Sequence, residues 1–390
     1  MTTSARITEP ELSESGKNPL KGLLDFGQSP WMDYIRRDLL TGGELKKLIH
    51  NDGLRGMTSN PSIFAKAIST SKDYSDILES ADAKQMNATQ LYETIAVRDV
   101  QDAADIFRPV YDESRQRDGY VSLEVSPTLA LEMQKTLDEA RRLWKMVNRP
   151  NVMIKVPGTK ECLPAIRQLL EDGININITL LFAQSAYEAV AEAYIAALEA
   201  RATKGQDIAH ISSVASFFVS RIDTLADSLV DEKLKAASDP KQKELLNSLK
   251  GKVAIANAKV TYKKYQELFS GPRWKALAAK GAQTQRLLWA STSTKNKAYR
   301  DVIYVEELIG ADTVDTIPPA TFDAFRDHGK LRPSLTENVD QAVKTMSDLE
   351  KAGLSMKDIT DKLLVDGIKL FADAFTELLE ATGKSAGVRA

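Results

Sequence analysis

The amino-acid sequence predicts an α/β protein, a single (β/α)8 TIM barrel with an N-terminal arm and a helical insertion between its sixth and seventh strands. Three observations predict it. Short apolar runs alternate with helix-length stretches, the order expected of a parallel sheet. Eight such runs occur in one chain of 390 residues. The glycine-rich G-x-G-x-x-G turn of many open, doubly wound sheets is missing.

Residues 1–27 are polar and turn-rich and read as an arm ahead of the barrel domain, which takes in residues 28–390. The run Trp31–Tyr34 is the weakest strand candidate. Leu54–Thr58, Tyr120–Val125, Asn151–Val156, Ile174–Thr179, Ile208–Ala215, Arg286–Ser291 and Thr313–Thr316 follow. Helices are expected over Thr41–His50, Ala88–Arg117, Thr128–Val147, Lys160–Asp172, Ala183–Thr203 and Lys297–Ile309. Asp223–Arg273 is rich in Ala, Lys, Leu and Glu and reads as the helical insert. The chain beyond Glu337 reads as more helix.

Three strands carry a second message. Buried parallel strands usually read as continuous Val/Ile/Leu runs, but here apolar and polar residues alternate. Ile174, Ile176 and Ile178 oppose Asn175, Asn177 and Thr179; Val121, Leu123 and Val125 oppose Ser122 and Glu124; Val152, Ile154 and Val156 oppose Met153 and Lys155. A solvent-facing antiparallel sheet would alternate in the same way, but the helical intervals between the strands argue against one. If the apolar set faces the helices, Glu124, Lys155, Asn177 and Thr179 point into the barrel. Burying such groups without partners costs about 2 kcal/mol each, and far more for a charge. An inward polar cluster near the C-terminal strand ends is where barrel enzymes do chemistry.

Composition narrows the function classes. The chain is 43% hydrophobic and 27% charged with a net charge of −2, so nothing electrostatic favours nucleic acid or an acidic membrane. No run of ~18 apolar residues suggests a membrane span, and the polar N-terminus lacks the apolar core of a secretory signal. Cys162, the single cysteine, cannot form an internal disulfide, which fits a reducing cytoplasm. His50, His210 and His328 lie far apart without ligand spacing, so no catalytic zinc is expected. That spacing argument does not bear on an oxygen-ligated magnesium.

Five segments occur in order along these strands: Gly-Met-Thr-Ser-Asn-Pro-Ser-Ile (56–63), Val-Ser-Leu-Glu-Val (121–125), Met-Ile-Lys-Val-Pro-Gly-Thr (153–159), Gly-Ile-Asn-Ile-Asn-Ile-Thr-Leu-Leu-Phe (173–182) and Ser-Phe-Phe-Val-Ser-Arg-Ile-Asp (216–223). Together they resemble the transaldolase family of class I Schiff-base enzymes, in a long form. The resemblance implies one barrel without metal or organic cofactor, acting on sugar phosphates in the non-oxidative pentose phosphate pathway as a monomer or homodimer. A dihydroxyacetone unit would pass from fructose 6-phosphate or sedoheptulose 7-phosphate to erythrose 4-phosphate or glyceraldehyde 3-phosphate. Two alternatives remain: a fructose-6-phosphate aldolase of the same superfamily, and a non-catalytic sugar-phosphate-binding barrel.

Residue by residue, Lys155 matches the family's Schiff-base lysine, which needs an uncharged amine to attack a ketone; alone, it would equally suit a strand-end lysine reaching solvent. Asp33 matches the first-strand aspartate that takes the C4 hydroxyl proton. Asp38 is the competing candidate, although it looks like a helix-start carboxylate. Glu124 and Thr179 resemble the pair that holds a catalytic water. Their bland readings are a structural ion pair to Lys155 and strand packing. Asn60 and Asn177 resemble the amides that grip donor hydroxyls, and Asn60, preceding Pro61, also suits a turn. Ser216 and Arg221 match a Ser-x-x-x-x-Arg segment in which the arginine binds phosphate; a surface pair with Asp223 is the competing role for Arg221. After the seventh strand the family's Ala-Ser-x-Arg is replaced by Trp-Ala-Ser-Thr-Ser-Thr-Lys-Asn (289–296). Lys295 is then the nearest cation, with Ser291, Ser293 or Arg300 as substitutes.

Overall fold

In the computed structural model, which describes residues 18–70, 72–80 and 82–388, parallel strands close into an eight-membered barrel in sequence order. The strands are β1 (Gln28–Asp33), β2 (Gly56–Thr58), β3 (Tyr120–Glu124), β4 (Val152–Pro157), β5 (Ile176–Leu181), β6 (Ser213–Phe218), β7 (Arg286–Ala290) and β8 (Thr313–Ile317). β8 returns to β1 with Thr316 opposite Trp31. Apart from Asp33 at the open end of β1, every strand residue is buried. The helices on the outer face and the side chains inside the barrel account for both faces.

The helices are α1 (Pro19–Gly22), α2 (Arg37–Thr41), α3 (Glu44–Asn51), α4 (Pro61–Thr70), α5 (Ser75–Leu78), α6 (Ala88–Glu113), α7 (Met133–Val147), α8 (Leu163–Glu171), α9 (Gln184–Thr203), α10 (Ser220–Ala236), α11 (Pro240–Leu249), α12 (Val253–Leu268), α13 (Pro272–Ala278), α14 (Ile303–Glu306), α15 (Pro319–His328), α16 (Val339–Lys351) and α17 (Met356–Ala386). Local chemistry sets several ends. Asn87 and Gln90 form a reciprocal capping box at the start of α6. Asp239 caps α11 ahead of Pro240.

Several bounds differ from the sequence expectation for identifiable reasons. β1 begins at Gln28, not Trp31, because the Nε2 of polar Gln28, on the strand's outer face, is engaged by Leu308 O and Thr313 Oγ1. β6 begins at Ser213, not Ile208. Ile208 and Ile211 are buried anchors of a turn whose amides at Ala209 and His210 are held by the Asp207 carboxylate. β5 begins at Ile176, because the Asn175 side chain takes over local pairing by donating to Pro150 O and accepting from Ser212 N. The helix expected over Thr41–His50 breaks at Gly42–Gly43, where Gly43 adopts φ +77°. The helix expected over Lys297–Ile309 contracts to α14, and α4 and α15 were not anticipated. Residues 1–17 of the expected arm lie outside the described residues. Of the remainder, Leu20 and Leu23 are fully buried against the barrel. The expected insert is α10 to α13.

Candidate functional site

Lys155 and Glu124 stand opposite one another in the β3–β4 register. With a side-chain period of two, both project inward, and Lys155 Nζ lies 3.0 Å from Glu124 Oε2. The amine also donates to Ser59 O at 3.3 Å. Both side chains are only 6% exposed, so the pair meets where solvent barely screens it. Burial pushes the Glu124 carboxyl above its ordinary range, and the Lys155 charge pulls against that shift.

One layer below, Asn177 Nδ2 donates to Ser122 Oγ at 3.0 Å and its Oδ1 accepts from Ser216 Oγ at 2.7 Å. Asn177 is fully buried. It is engaged by two serines beneath the cavity, whereas Ser216 lines the cavity itself. Thr179 also lines it, and among the described residues its hydroxyl has no hydrogen-bond partner. Its inward direction follows from the regular alternation after Asn177, still in register with β4 at Pro157, and an irregularity begins just beyond it. The β5–β6 register shifts between Ile178 and Leu181, and Leu180 takes φ +64°. A bulge of this kind re-aims side chains at the rim of a barrel, and a bulky residue at positive φ is strained.

Asp33, at the end of β1, accepts from Thr58 Oγ1 at 2.8 Å, and Thr58 is bonded in turn to Thr316. Burial raises the Asp33 carboxyl above its ordinary value, while Lys155, Thr58 and Arg221 oppose the rise. Asp38, the competing candidate, pairs with Arg36 and accepts from Leu39 N at the start of α2. Asn60 combines both of its anticipated roles: its Oδ1 accepts from Ile63 N at the start of α4, and the residue faces the cavity.

Arg221 lies at the rim with its Cζ 5.4 Å from the Phe218 ring and 5.9 Å from that of Phe371. Asp223 is not its partner, since that carboxylate accepts from Ala254 N and Tyr304 OH. Burial lowers the Arg221 guanidinium from its ordinary value, with Asp33 opposing. Across the rim, Lys295 Nζ donates to Ser293 Oγ at 2.8 Å. Ser291, at φ +56°, sets its hydroxyl 3.0 Å from that of Ser220. Arg300 is turned away, bound to Glu306 and His328 O.

Asp33, Asn60, Thr179, Ser216, Arg221, Ser291 and Lys295 border a cavity of about 210 Å³ that reaches Lys155 and opens into a vestibule of about 980 Å³, while Glu124 lines a neighbouring hollow with Tyr92 and Phe375. Asp33, Asn60, Arg221, Lys295 and Phe371 border both. Phe371 escaped the sequence reading. It sits on α17 and faces the Lys155 amine across 5.6 Å. The Phe371/Phe375 spacing on an apolar helix face was the available signal, and it reads equally as core. Thr58 and Thr316, which brace Asp33, were also missed, although Thr58 lies within the 56–63 segment. Among the described residues no group of three or more His, Cys, Asp or Glu could hold a metal ion. Nor, among those residues, is any helix long and apolar enough to cross a membrane.

The chain matches the family described as Transaldolase/Fructose-6-phosphate aldolase over residues 30–382. A transaldolase from Trichodesmium erythraeum is 47% identical over 93% of this chain and 96% of the relative. Transaldolase 2 from a Nostoc species is 45% identical over 93% of this chain and 96% of that one. A transaldolase from Thiobacillus denitrificans is 43% identical over 94% of this chain and its own full length. A barrel with a buried lysine–carboxylate pair at the mouth, matched over nearly its whole length, therefore belongs to the transaldolase/fructose-6-phosphate aldolase family.

Proposed function

We propose that the protein is a cytoplasmic transaldolase of the non-oxidative pentose phosphate pathway. It transfers a dihydroxyacetone unit between sugar phosphates through a Schiff base on Lys155. The observation that carries this reading is the Lys155 amine, buried 3.0 Å from Glu124 in a cavity that also holds Asp33. The amine adds to the C2 carbonyl of the donor ketose, and the carbinolamine loses water to give an iminium. Glu124 moves protons for that dehydration through a water that Thr179, with its unpartnered hydroxyl, can also bind.

Asp33 then takes the C4 hydroxyl proton. The C3–C4 bond breaks, its electron pair passes to the iminium, and the aldose leaves. The enamine attacks the acceptor aldehyde, Asp33 returns the proton to the new alkoxide, and water releases the product ketose from Lys155. Asn60 and Ser216 bind donor hydroxyls, and Asn177 fixes Ser216 from below. The donor phosphate lies between Arg221 and Lys295, with Ser291 at the rim.

The test is borohydride reduction in the presence of fructose 6-phosphate, followed by peptide mass mapping. Inactivation with the label on Lys155 is expected, because reduction fixes the iminium as a stable amine. A label elsewhere, or an active Lys155→Ala protein, overturns the assignment. Turnover of fructose 6-phosphate that requires erythrose 4-phosphate marks transfer; release of free dihydroxyacetone without it marks the aldolase reaction instead.

A further inference from the structure

The segment between β7 and β8 carries Ser291, Ser293 and Lys295 at the cavity rim and then leaves the mouth to run along the helical insert. It is held to α10 at three levels. Ser220 N donates to Ser291 O at 3.0 Å, and the two hydroxyls lie 3.0 Å apart. Tyr304 OH donates to Asp223 Oδ2 at 2.9 Å. Tyr299 OH donates to Asp227 Oδ2 at 2.6 Å. Residues 220, 223 and 227 are spaced three and four apart, so they share one face of α10.

The second oxygen of each aspartate faces the other way. Asp223 Oδ1 accepts from Ala254 N at 2.7 Å, and Asp227 Oδ1 accepts from Gly251 N at 3.0 Å. Each carboxylate therefore bridges the first turn of α12, or the turn before it, to the β7–β8 segment. Both are buried, at 1% and 8% exposure. Gly251 belongs to the same arrangement. It adopts φ +68°, and a Cβ there would come within 2.7 Å of Tyr299 Cζ, so only glycine lets the ring lie on the backbone. Arg221, next to Ser220 on α10, borders the cavity.

We propose that Asp223 and Asp227, with Tyr304 and Tyr299, are phosphate-positioning residues: α10 sets the place of Lys295 relative to Arg221, and the helical insert exists to hold that segment over the cavity. None of the four touches the substrate. They act through the segment they fix, in a site where a displacement of about 1 Å is costly. This inference rests on the reading of Arg221 and Lys295 as the phosphate site.

The experiment compares Tyr299→Phe and Asp227→Asn with the unaltered protein, using fructose 6-phosphate and free fructose as donors and inorganic phosphate as a competing inhibitor. Tyr299→Phe keeps the ring on Gly251 and removes only the hydroxyl. The expected result is a KM for fructose 6-phosphate raised about tenfold with kcat unchanged. Phosphate inhibition weakens in parallel, and kcat/KM for free fructose is unaffected. The losses should be less than additive in the double variant, because the Tyr299–Asp227 bond is common to both changes while the Gly251 contact belongs to Asp227 alone. Equal losses for both donors, or no loss for either, overturn the proposal. Tyr304→Phe repeats the test at Asp223 if Asp227→Asn fails to fold. Arg221→Ala and Lys295→Ala are run alongside. If they discriminate between the donors and the Tyr and Asp variants do not, the positioning role alone falls. If none discriminates, the phosphate reading of this rim falls with it.

Discussion

Phe371 presents its ring to the one nitrogen on which the proposed chemistry turns. A ring face about 6 Å from a cation contributes ~0.5–2 kcal/mol, more where water is excluded. Phe371→Leu, which keeps apolar cover but loses the π face, should lower kcat about threefold to tenfold with little change in stability. Phe371→Ala should also open the cavity to water and cost more. Equal kinetics for Leu and Phe would show that the ring is cover alone. At C4 of the donor, Asp33→Asn should leave borohydride trapping on Lys155 largely intact while cutting turnover about 100-fold or more, since its carboxylate acts after the imine forms. Burial already raises Asp33, and the Arg221 charge is among the influences that lower it. Removing that charge in Arg221→Gln should therefore move the acid limb of the kcat/KM profile to higher pH; a limb that moves down would detach it from Asp33. Lys155, Glu124 and Thr179 were legible in the sequence because strand alternation fixes which way a side chain points. Phe371 was not. Nothing in a helix's own pattern says which strand end, over two hundred residues earlier, it will cover.

β5 shows an element doing more than its sequence pattern announces. Its Ile/Asn/Thr alternation reads as a regular strand and carries Thr179 to the cavity beside Lys155, yet just beyond Thr179 the register with β6 shifts before Leu181. The shift brings Leu180 against α17, where a Cβ on Gly367 would lie 3.1 Å from Leu180 Cδ2. Gly367 thus sets how closely α17 approaches the mouth. Gly367→Leu should push the helix outward, displace Phe371 and lower kcat/KM by about tenfold or more, while the barrel unfolds at nearly the same temperature. An active Gly367→Leu protein would show that α17 tolerates the shift. The insert was legible as helix from its composition. Its attachment was not, because Asp223 and Tyr304 meet only once the chain has closed on itself. Ile208 and Ile211 misled for a simpler reason: buried turn anchors and strand residues share the same apolar signature.

For the molecule as a whole, the floor of the barrel matters as much as its mouth. Arg286 Nη2 lies 2.8 Å from Asp118 Oδ1, and Ser29 and Trp31 donate to the same carboxylate, all buried. Gly56 makes room for the Trp31 ring, which a Cβ would approach within 2.5 Å. Burial pushes Asp118 up, but the Arg286 charge and these hydrogen bonds outweigh it and hold the carboxyl below its ordinary range. Asp118→Asn, which leaves Arg286 buried without its counter-charge, should cost about 3–5 kcal/mol in denaturant unfolding at neutral pH. A depressed carboxyl stabilises the fold fully above its unfolded value of about 3.9, and that contribution is lost as the pH falls through the lower folded value. The gap between the two proteins should therefore narrow only under acid, and a gap that is constant with pH would contradict this. The filled floor also governs traffic. Donor, departing aldose, incoming acceptor and product ketose share the vestibule beneath α17, so the first product has to vacate it before the acceptor can enter. Initial-rate measurements should accordingly give parallel lines in reciprocal plots, with excess acceptor inhibiting by occupying the unloaded enzyme, whereas intersecting lines would demand a second way in.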